Sequence, residues 1–213
     1  MYLHEAMKEK DWRQFKDVMH EEMQGHLKNK NFILQHKDKV PNEHDILPAV
    51  WAMKRKRRVS TGEVYKWKAR LNIDGSKQIK DVHYTLSYSP VIQWETLRLV
   101  IILAVSKGWP ALQVDYVQAF PQAPVERELY MRYPPGIEIA GYTRDKYVLK
   151  IINNIYDQVQ DGKVWIDYLI NKLKQIGFLQ CEWEECLLVR GNTLYILSLI
   201  HISEPTRRTP ISY

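Results

Sequence analysis

The feature that most constrains the fold is a run of strict alternation that ends the first third of the chain. Basic residues alternate with apolar or aromatic ones over Tyr65-Lys66-Trp67-Lys68-Ala69-Arg70-Leu71. A period of two is typical of a strand with one buried face and one solvated face. Residues 50–54 indicate a second strand, and the turn residues Ser60-Thr61-Gly62 lie between the two. The sequence therefore predicts a β-hairpin.

The predicted hairpin is strongly basic. Its cations are Lys54, Arg55, Lys56, Arg57 and Arg58 on one side, and Lys66, Lys68 and Arg70 on the other. The whole chain carries a net charge of +6 with a pI of about 9.1, which suits a polyanionic partner. Two adjacent basic strands favour phosphate binding. The alternative is a solvated edge strand that lysines protect from aggregation.

Helical periodicity occurs on both sides of the hairpin. Asp11 is the expected N-cap of a helix whose apolar stripe is Trp12, Phe15, Met19, Met23 and Leu27. Residues 95–106 are apolar nearly all round, which predicts a well-buried helix. A third helix carries Trp165, Leu169, Leu173 and Ile176 and ends at Gly177.

Short strands complete the predicted architecture. Residues 148–151 and 112–114 read as strands, whereas residues 28–48 read as polar and irregular. Residues 186–189 and 193–197 flank Gly191-Asn192, which indicates a second hairpin. We therefore expect an α+β fold with mostly antiparallel strands and flanking helices.

Composition excludes several classes of protein. Cys181 and Cys186 are too few for a disulfide framework and have no zinc-like histidine spacing, which favours a reducing compartment. The longest apolar run, residues 99–105, is far shorter than the roughly 20 residues that span a bilayer. No signal peptide is recognised at the start, so we expect no membrane role.

Asp115 is the strongest candidate for metal chemistry. It follows the short apolar strand predicted at 112–114 and precedes a turn that contains Ala119 and Phe120. A carboxylate in that position is fixed by the strand and exposed by the turn, as a metal ligand must be. The same pattern also fits an aspartate that merely caps a turn. Gln158 and Gln160, in a loop before the third helix, are able to contact a sugar or base, or are ordinary loop residues.

Taken in order, these motifs resemble the reverse transcriptase domain of copia-type retrotransposons from about Trp12 to Leu197. The segment 114–120 is similar to the family's Asp-Val-Lys-Thr-Ala-Phe box, and 156–165 to its Tyr-Gly-x-Lys-Gln-Ala-x-Arg-x-Trp stretch. Shorter matches are Trp51-Ala52-Met53-Lys54, Lys68-Ala69-Arg70-Leu71, Ser89-Pro90-Val91, Leu129-Tyr130-Met131 with Pro134-Pro135-Gly136, Glu185-Cys186 and Arg190-Gly191. The resemblance implies the fingers and partial palm of a right-hand polymerase over residues 1–197.

The resemblance also implies roles for single residues. Asp115 would be the first catalytic, metal-binding carboxylate, and Lys68 and Arg70 would contact the incoming deoxynucleoside triphosphate. Phe120 would exclude a 2′-hydroxyl beneath the sugar, and Gln160 would contact the nucleotide or template. The implied cofactor is Mg²⁺, and the implied partners are an RNA template and a DNA primer. The family's expected location is intracellular, in a cytoplasmic particle or the nucleus.

The sequence departs from the family pattern at two places. In the stretch that begins at Tyr156, Asp157, Val159, Asp161 and Lys163 replace the family's Gly, Lys, Ala and Arg, and the added acids oppose polyphosphate binding. After Leu197 the family places Tyr-Val-Asp-Asp, whereas this chain has Ser198-Leu199-Ile200-His201. Residues 198–213 resemble adapter read-through, so we expect them to be non-native and His201 not to bind metal.

Three functional hypotheses follow from the sequence. The first is a fragment of an RNA-directed DNA polymerase that is inactive as written, since two-metal catalysis needs several carboxylates and only Asp115 is recognised. The second is a non-catalytic nucleic-acid-binding protein derived from such an element. The third is an open reading frame without function.

Overall fold

The computed structural model describes residues 1–41 and 46–197, and these divide into two compact units. The first comprises residues 1–87 and 120–164, and the second comprises residues 88–119 together with the chain from Trp165 onward. The mixed α+β class and the predominance of antiparallel pairing are confirmed. The expectations for residues 198–213, including Ser198, His201 and the non-native tail, lie outside the described residues.

The first unit contains two sheets and two helices. Its helices are α1 (Leu3–Ala6) and α2 (Trp12–Lys28). A four-stranded sheet has the order β1-β6-β5-β2, where the strands are β1 (Phe32–His36), β2 (Ile46–Leu47), β5 (Pro124–Arg132) and β6 (Tyr147–Asn153). Only the β2–β5 pair in it is parallel. The second sheet is the predicted hairpin, formed by β3 (Ala49–Arg57) and β4 (Val64–Ile73).

The core of the first unit contains residues from α2, the β3–β4 hairpin and the four-stranded sheet, and α2 packs against β4. The predicted stripe of α2 supplies Phe15, Met19 and Met23, all buried. The hairpin contributes Trp51 and Leu71 from its apolar face. The alternation in the sequence thus specifies which face of the hairpin is buried, because successive strand residues point to opposite sides.

One expectation for this unit is wrong, and another is confirmed in position only. Residues 28–48 are not uniformly irregular, since β1 forms there and pairs with β6, with Phe32 opposite Ile151. Asp11 occupies the N-cap position of α2 but makes no capping hydrogen bond. Its carboxylate instead accepts from Arg55 and Trp67, and a bond to a charged donor is stronger than one to a helix amide.

The second unit contains α3 (Trp94–Lys107), most of α4 (Asp161–Gln175) and a three-stranded antiparallel sheet. That sheet has the order β7-β8-β9, with strands β7 (Leu179–Gln180), β8 (Leu187–Arg190) and β9 (Thr193–Ile196). The hairpin predicted around Gly191-Asn192 is confirmed, and Gly191 has a positive φ of 54°. None of the described helices is long and apolar enough to cross a bilayer.

Two expectations for the second unit are also wrong. The helix predicted at 95–106 forms, but α3 has no buried residue, and Leu99 and Val105 are 57% and 79% exposed. Leu112, Gln113 and Val114 form no strand, and Leu112 is 94% exposed. Two apolar positions are too few to specify a strand when no described segment supplies a ladder partner.

Candidate nucleic-acid interface

The register of the β3–β4 hairpin places five cations on one face. Lys54 lies opposite Lys68, and Lys56 lies opposite Lys66. Arg70, two residues beyond Lys68 on the same strand, shares their side, because alternate residues of a strand point the same way. We call these five residues the basic face. Alternate residues along a strand are about 6.8 Å apart. The basic face is thus a double row of positive charge.

Arg55 projects from the opposite face of the hairpin, where it is ion-paired. Its Nε donates to Oδ2 of Asp11 at 2.7 Å, and its Nη2 lies 2.5 Å from Oδ1 of the same carboxylate and 3.0 Å from Glu9. Its cross-strand partner Trp67 also donates to Asp11, at 2.5 Å. The hydrogen bonds from Arg55 hold the pKa of Asp11 well below its usual range. Arg55 thus fastens α2 to the hairpin, and its predicted phosphate contact stays a prediction.

Arg57 and Arg58 lie where the hairpin turns. The regular pairing shifts between Lys56 and Arg57, so Arg57 lies beyond the uninterrupted double row. Its Nη1 donates to the carbonyl oxygen of Gly62 at 2.9 Å. Arg58 is exposed, and its backbone closes the turn through bonds with Glu63 and Gly62. These two cations stabilise or extend the turn, whereas the basic face is built on the regular ladder.

Arg70 and Phe120 meet at one aromatic ring, that of Tyr156. The guanidinium carbon of Arg70 is 4.9 Å from the ring centroid of Tyr156. Phe120, in a short 3-10 turn, contacts the same ring edge-on with 6.0 Å between centroids. Burial raises the pKa of Tyr156 to about 12, so its hydroxyl is neutral at physiological pH. The structure therefore brings together two of the residues to which the resemblance assigns a nucleotide contact.

Gln160 belongs to a buried chain of amide hydrogen bonds. Its Nε2 donates to Oε1 of Gln158 at 2.9 Å, and its Oε1 accepts from Nε2 of Gln78 at 3.1 Å. Gln78 in turn accepts from the backbone amide of Val159 at 2.8 Å, which fixes the loop before α4. Gln160 is only 3% exposed. In this structure its amide supports the loop, and its contact with a nucleotide stays a prediction.

The two acids that replace the family's Gly and Ala occupy different environments. Asp157 accepts a hydrogen bond from Asn72 at 2.5 Å and has a positive φ of 66°. The pKa of Asp161, in the first turn of α4, is raised to about 7, mainly by burial and also by the charge of Asp157. Asp161 therefore keeps its proton to a higher pH than an ordinary aspartate does. Its opposition to a bound polyphosphate is weaker than the sequence alone predicts.

Asp115 lies in the second unit, whereas Lys68, Arg70, Phe120 and Gln160 all lie in the first. It is exposed, in a segment without regular secondary structure. No group of three His, Cys, Asp or Glu side chains within the described ranges 1–41 and 46–197 is arranged to hold a metal ion. The described donors therefore do not fit the two-cation site implied by the resemblance, which needs several converging carboxylates.

Sequence reasoning missed two contributors to this region. Tyr156 was recognised only as the start of a motif, although it contacts both Arg70 and Phe120. Asn72 was assigned no role, yet its side chain binds Asp157 across 85 positions of sequence. The available signal was an uncharged amide between the apolar Leu71 and Ile73, since a buried polar group normally has a hydrogen-bond partner.

The chain is similar to a known protein family and to several polyproteins. The family model described as reverse transcriptase (RNA-dependent DNA polymerase) matches residues 34–201. The chain is 29% identical over 202 residues to the retrovirus-related Pol polyprotein from transposon RE1 of Arabidopsis thaliana, and 30% identical over 202 residues to that from transposon RE2. It is 26% identical over 204 residues to the corresponding polyprotein from transposon TNT 1-94 of Nicotiana tabacum.

These alignments cover most of this chain but little of each relative. They include 94% of the chain for the two Arabidopsis proteins and 95% for the tobacco protein. They span only 13% of each Arabidopsis polyprotein and 15% of the tobacco one. No solved structure matches the chain.

Proposed function

Because the chain belongs to the reverse transcriptase (RNA-dependent DNA polymerase) family, in its copia-type branch, we propose that it is the phosphate-binding part of such a polymerase. In this proposal the basic face binds the sugar-phosphate backbone of template or primer and the triphosphate of an incoming deoxynucleotide. Binding is independent of sequence, because contacts with phosphate carry no base information.

The observation that carries the proposal is the register of the hairpin. Two cross-strand pairs of the ladder consist of lysines only: Lys54 with Lys68, and Lys56 with Lys66. Four ammonium groups are thus concentrated within two rungs. Like charges directly opposite one another destabilise a sheet, and a polyanion bound along this face would offset that repulsion. Arg70 extends the row and adds a planar fork suited to phosphate oxygens.

Finer assignments follow from the family. We propose that the described units correspond to the fingers and part of the palm of a right-hand polymerase. Lys68 and Arg70 contact the triphosphate, Phe120 lies beneath the sugar, and Gln160 supports that site. In a complete enzyme, Asp115 would be the first catalytic carboxylate and would hold Mg²⁺ together with further carboxylates.

We further propose that the chain with its present sequence does not extend a primer. Ser198-Leu199-Ile200-His201 stands where the family places its Tyr-Val-Asp-Asp motif, and the described carboxylates do not converge. The second candidate, a nucleic-acid-binding protein without polymerase activity, is favoured by the same observation. Both candidates share the basic face and differ only in catalysis.

The salt dependence of binding tests the role of the basic face. The test variant changes Lys54, Lys56, Lys66 and Lys68 to Gln, and the control removes equal charge from exposed lysines elsewhere in the first unit, Lys16, Lys28, Lys37 and Lys39. Affinity for a labelled single-stranded oligonucleotide is measured by fluorescence anisotropy over a range of salt concentrations. For the test variant, the slope of log K against log[salt] should decrease in magnitude by about 0.7 for each phosphate that is no longer neutralised.

The two variants have contrasting expected outcomes. The control should retain most of the slope, because its lysines lie away from the ladder. Equal effects of both variants would mean that net charge, not the hairpin, determines binding. Primer extension on an RNA template with Mg²⁺ or Mn²⁺ then separates the two candidate functions, and any extension by the unaltered chain would refute the proposed lack of catalysis.

A further inference from the structure

The backbone of Tyr156 is held against the hairpin by hydrogen bonds. The amide of Ile73 donates to the carbonyl oxygen of Tyr156 at 3.1 Å, and Asn72 and Tyr156 form an isolated parallel bridge. The next residue, Asp157, is bound by the side chain of Asn72. A Cβ on Gly75 would collide with the carbonyl oxygen of Asp157, so the approach of the two segments requires glycine there. The backbone that carries the ring is therefore fastened next to the strand that carries Arg70.

Arg70 and Arg55 lie on opposite faces of the hairpin and differ in the acceptors around their guanidinium groups. Arg55 is bound by two carboxylates, those of Asp11 and Glu9. The Nε of Arg70 is buried and has no hydrogen-bond acceptor among the described residues, and its cross-strand neighbour is Ala52. Its guanidinium lies 4.9 Å from the ring centroid of Tyr156. An aromatic ring orients a guanidinium without neutralising it, and so leaves its positive charge available to a phosphate.

We propose that Tyr156 is a positioning residue that orients Arg70 for triphosphate binding. The inference rests on the proposed function, since it assigns Arg70 a phosphate ligand. Tyr156 acts through its ring, because burial keeps the hydroxyl neutral and the contacts with Arg70 and Phe120 are both made by the ring. The same ring thus links the residue that contacts the triphosphate to the residue beneath the sugar. Preorganising a flexible cation reduces the entropy lost on binding.

Binding of inorganic tripolyphosphate to the full chain tests this role by calorimetry at low salt. Tyr156→Leu should weaken binding about fivefold, the size expected when one flexible side chain has to be ordered on binding. Tyr156→Phe should bind as the unaltered chain does, because it keeps the ring. Phe178→Leu is the matched control, since Phe178 lies 5.2 Å from Arg190 in the second unit and its loss should leave affinity unchanged.

A double-mutant cycle separates positioning from general damage to the fold. In an Arg70→Gln background, Tyr156→Leu should cause no further loss of affinity, because the group it orients is gone. An equal loss in both backgrounds would overturn the proposal. So would unchanged affinity in Tyr156→Leu.

The side-chain Nε–Hε resonance of Arg70, assigned with Arg70→Lys, provides a readout that needs no ligand. Ring currents from Tyr156 should displace this signal in the unaltered chain and in Tyr156→Phe, but not in Tyr156→Leu. A signal that does not respond to Tyr156→Leu would overturn the positioning role. Failure of the unaltered chain to bind tripolyphosphate would instead refute the proposed triphosphate contact, and the resonance would still decide whether Tyr156 orients Arg70.

Discussion

The two units bury their apolar side chains to very different degrees. In the first, the hairpin, α2 and the four-stranded sheet enclose a contiguous core that includes Trp51 and Leu71. In the second, the burial is concentrated in α4 and β8, whereas α3 has no buried residue. Four of the five residues assigned to nucleotide contact or catalysis lie in the first unit, and Asp115 lies in the second.

This difference shows that some sequence patterns are satisfied by a neighbouring segment, whereas others need packing partners from elsewhere in the chain. The alternation of β4 is satisfied by β3, which is separated from it by a short turn, so the face of each side chain is decided locally. A helix that is apolar all round needs neighbours on every side, and none of these is specified by its own sequence. The residues that depend on local pairing therefore form a regular ladder at the basic face, whereas the Asp115 segment has no ladder.

The largest expected effect is a contrast between two leucines, one in each unit. Leu71→Ala should lower the free energy of unfolding by about 3 kcal/mol, because Leu71 is fully buried and its removal leaves a cavity. Leu99→Ala, in the exposed α3, should change it by less than about 1 kcal/mol. Hydrogen exchange of β4 and α3 amides measures each effect in its own unit. Comparable losses at both sites would show that the contrast in burial does not hold in solution.

A smaller, pH-dependent effect is expected at Asp161 in the first unit. Its pKa is raised to about 7 in the folded chain, so the folded state binds this proton more tightly than the unfolded state does. That contribution to stability is complete below the unfolded pKa near 4 and is lost as pH rises through about 7. Asp161→Asn should therefore gain stability relative to the unaltered chain, by on the order of 2 kcal/mol at pH 8.

Denaturant unfolding at pH 5 and pH 8 checks this sign. The difference in unfolding free energy between Asp161→Asn and the unaltered chain should favour the variant more at pH 8 than at pH 5. Asp157→Asn serves as a comparison, because it removes the neighbouring charge and keeps the titrating group. A difference that is constant with pH would mean that Asp161 ionises normally in the folded chain.

The smallest expected effect concerns a hydrogen bond between the Asp115 segment and the sheet of the second unit. The hydroxyl groups of Tyr116 and Tyr195 are 2.7 Å apart, and burial raises the pKa of Tyr195. Tyr195→Phe should cost about 1 kcal/mol, typical of one intramolecular hydrogen bond. Faster amide exchange should appear near residue 116 and in β9. In a Tyr116→Phe background the same substitution should have almost no effect, and an undiminished one would argue against the hydroxyl pair.

Much of the first unit was predictable because its signals are local. The hairpin, α2 and the strand at residues 148–151 follow from periodicity and turn residues, and all three form. β1 was missed because its only described partner, β6, lies more than 100 positions away, with Phe32 opposite Ile151. Nothing within a five-residue stretch encodes a pairing over that distance.

The site was predictable in outline but not in its contacts. Alternation correctly grouped Lys66, Lys68 and Arg70, but a run of five cations does not reveal that Arg55 faces the other way and binds Asp11. Asp11 has the sequence pattern of an N-cap, but its carboxylate binds the guanidinium of Arg55, 44 positions away, and not the helix amides. Likewise, Gln160 matched a motif for nucleotide contact, whereas its burial depends on Gln78 from a separate segment.

The uninterrupted ladder from Ala49 to Lys56 has a consequence for which sequence changes the hairpin can survive. Substitution of a lysine on the basic face alters only charge, because each position keeps its side of the sheet. Insertion or deletion of a single residue inside β3 would reverse the facing of every residue beyond it, turning Met53 or Arg55 outward and a lysine into the core. A change of two residues would restore the facing. Insertions or deletions of an even number of residues are therefore the ones that preserve both the buried face and the basic face of the hairpin.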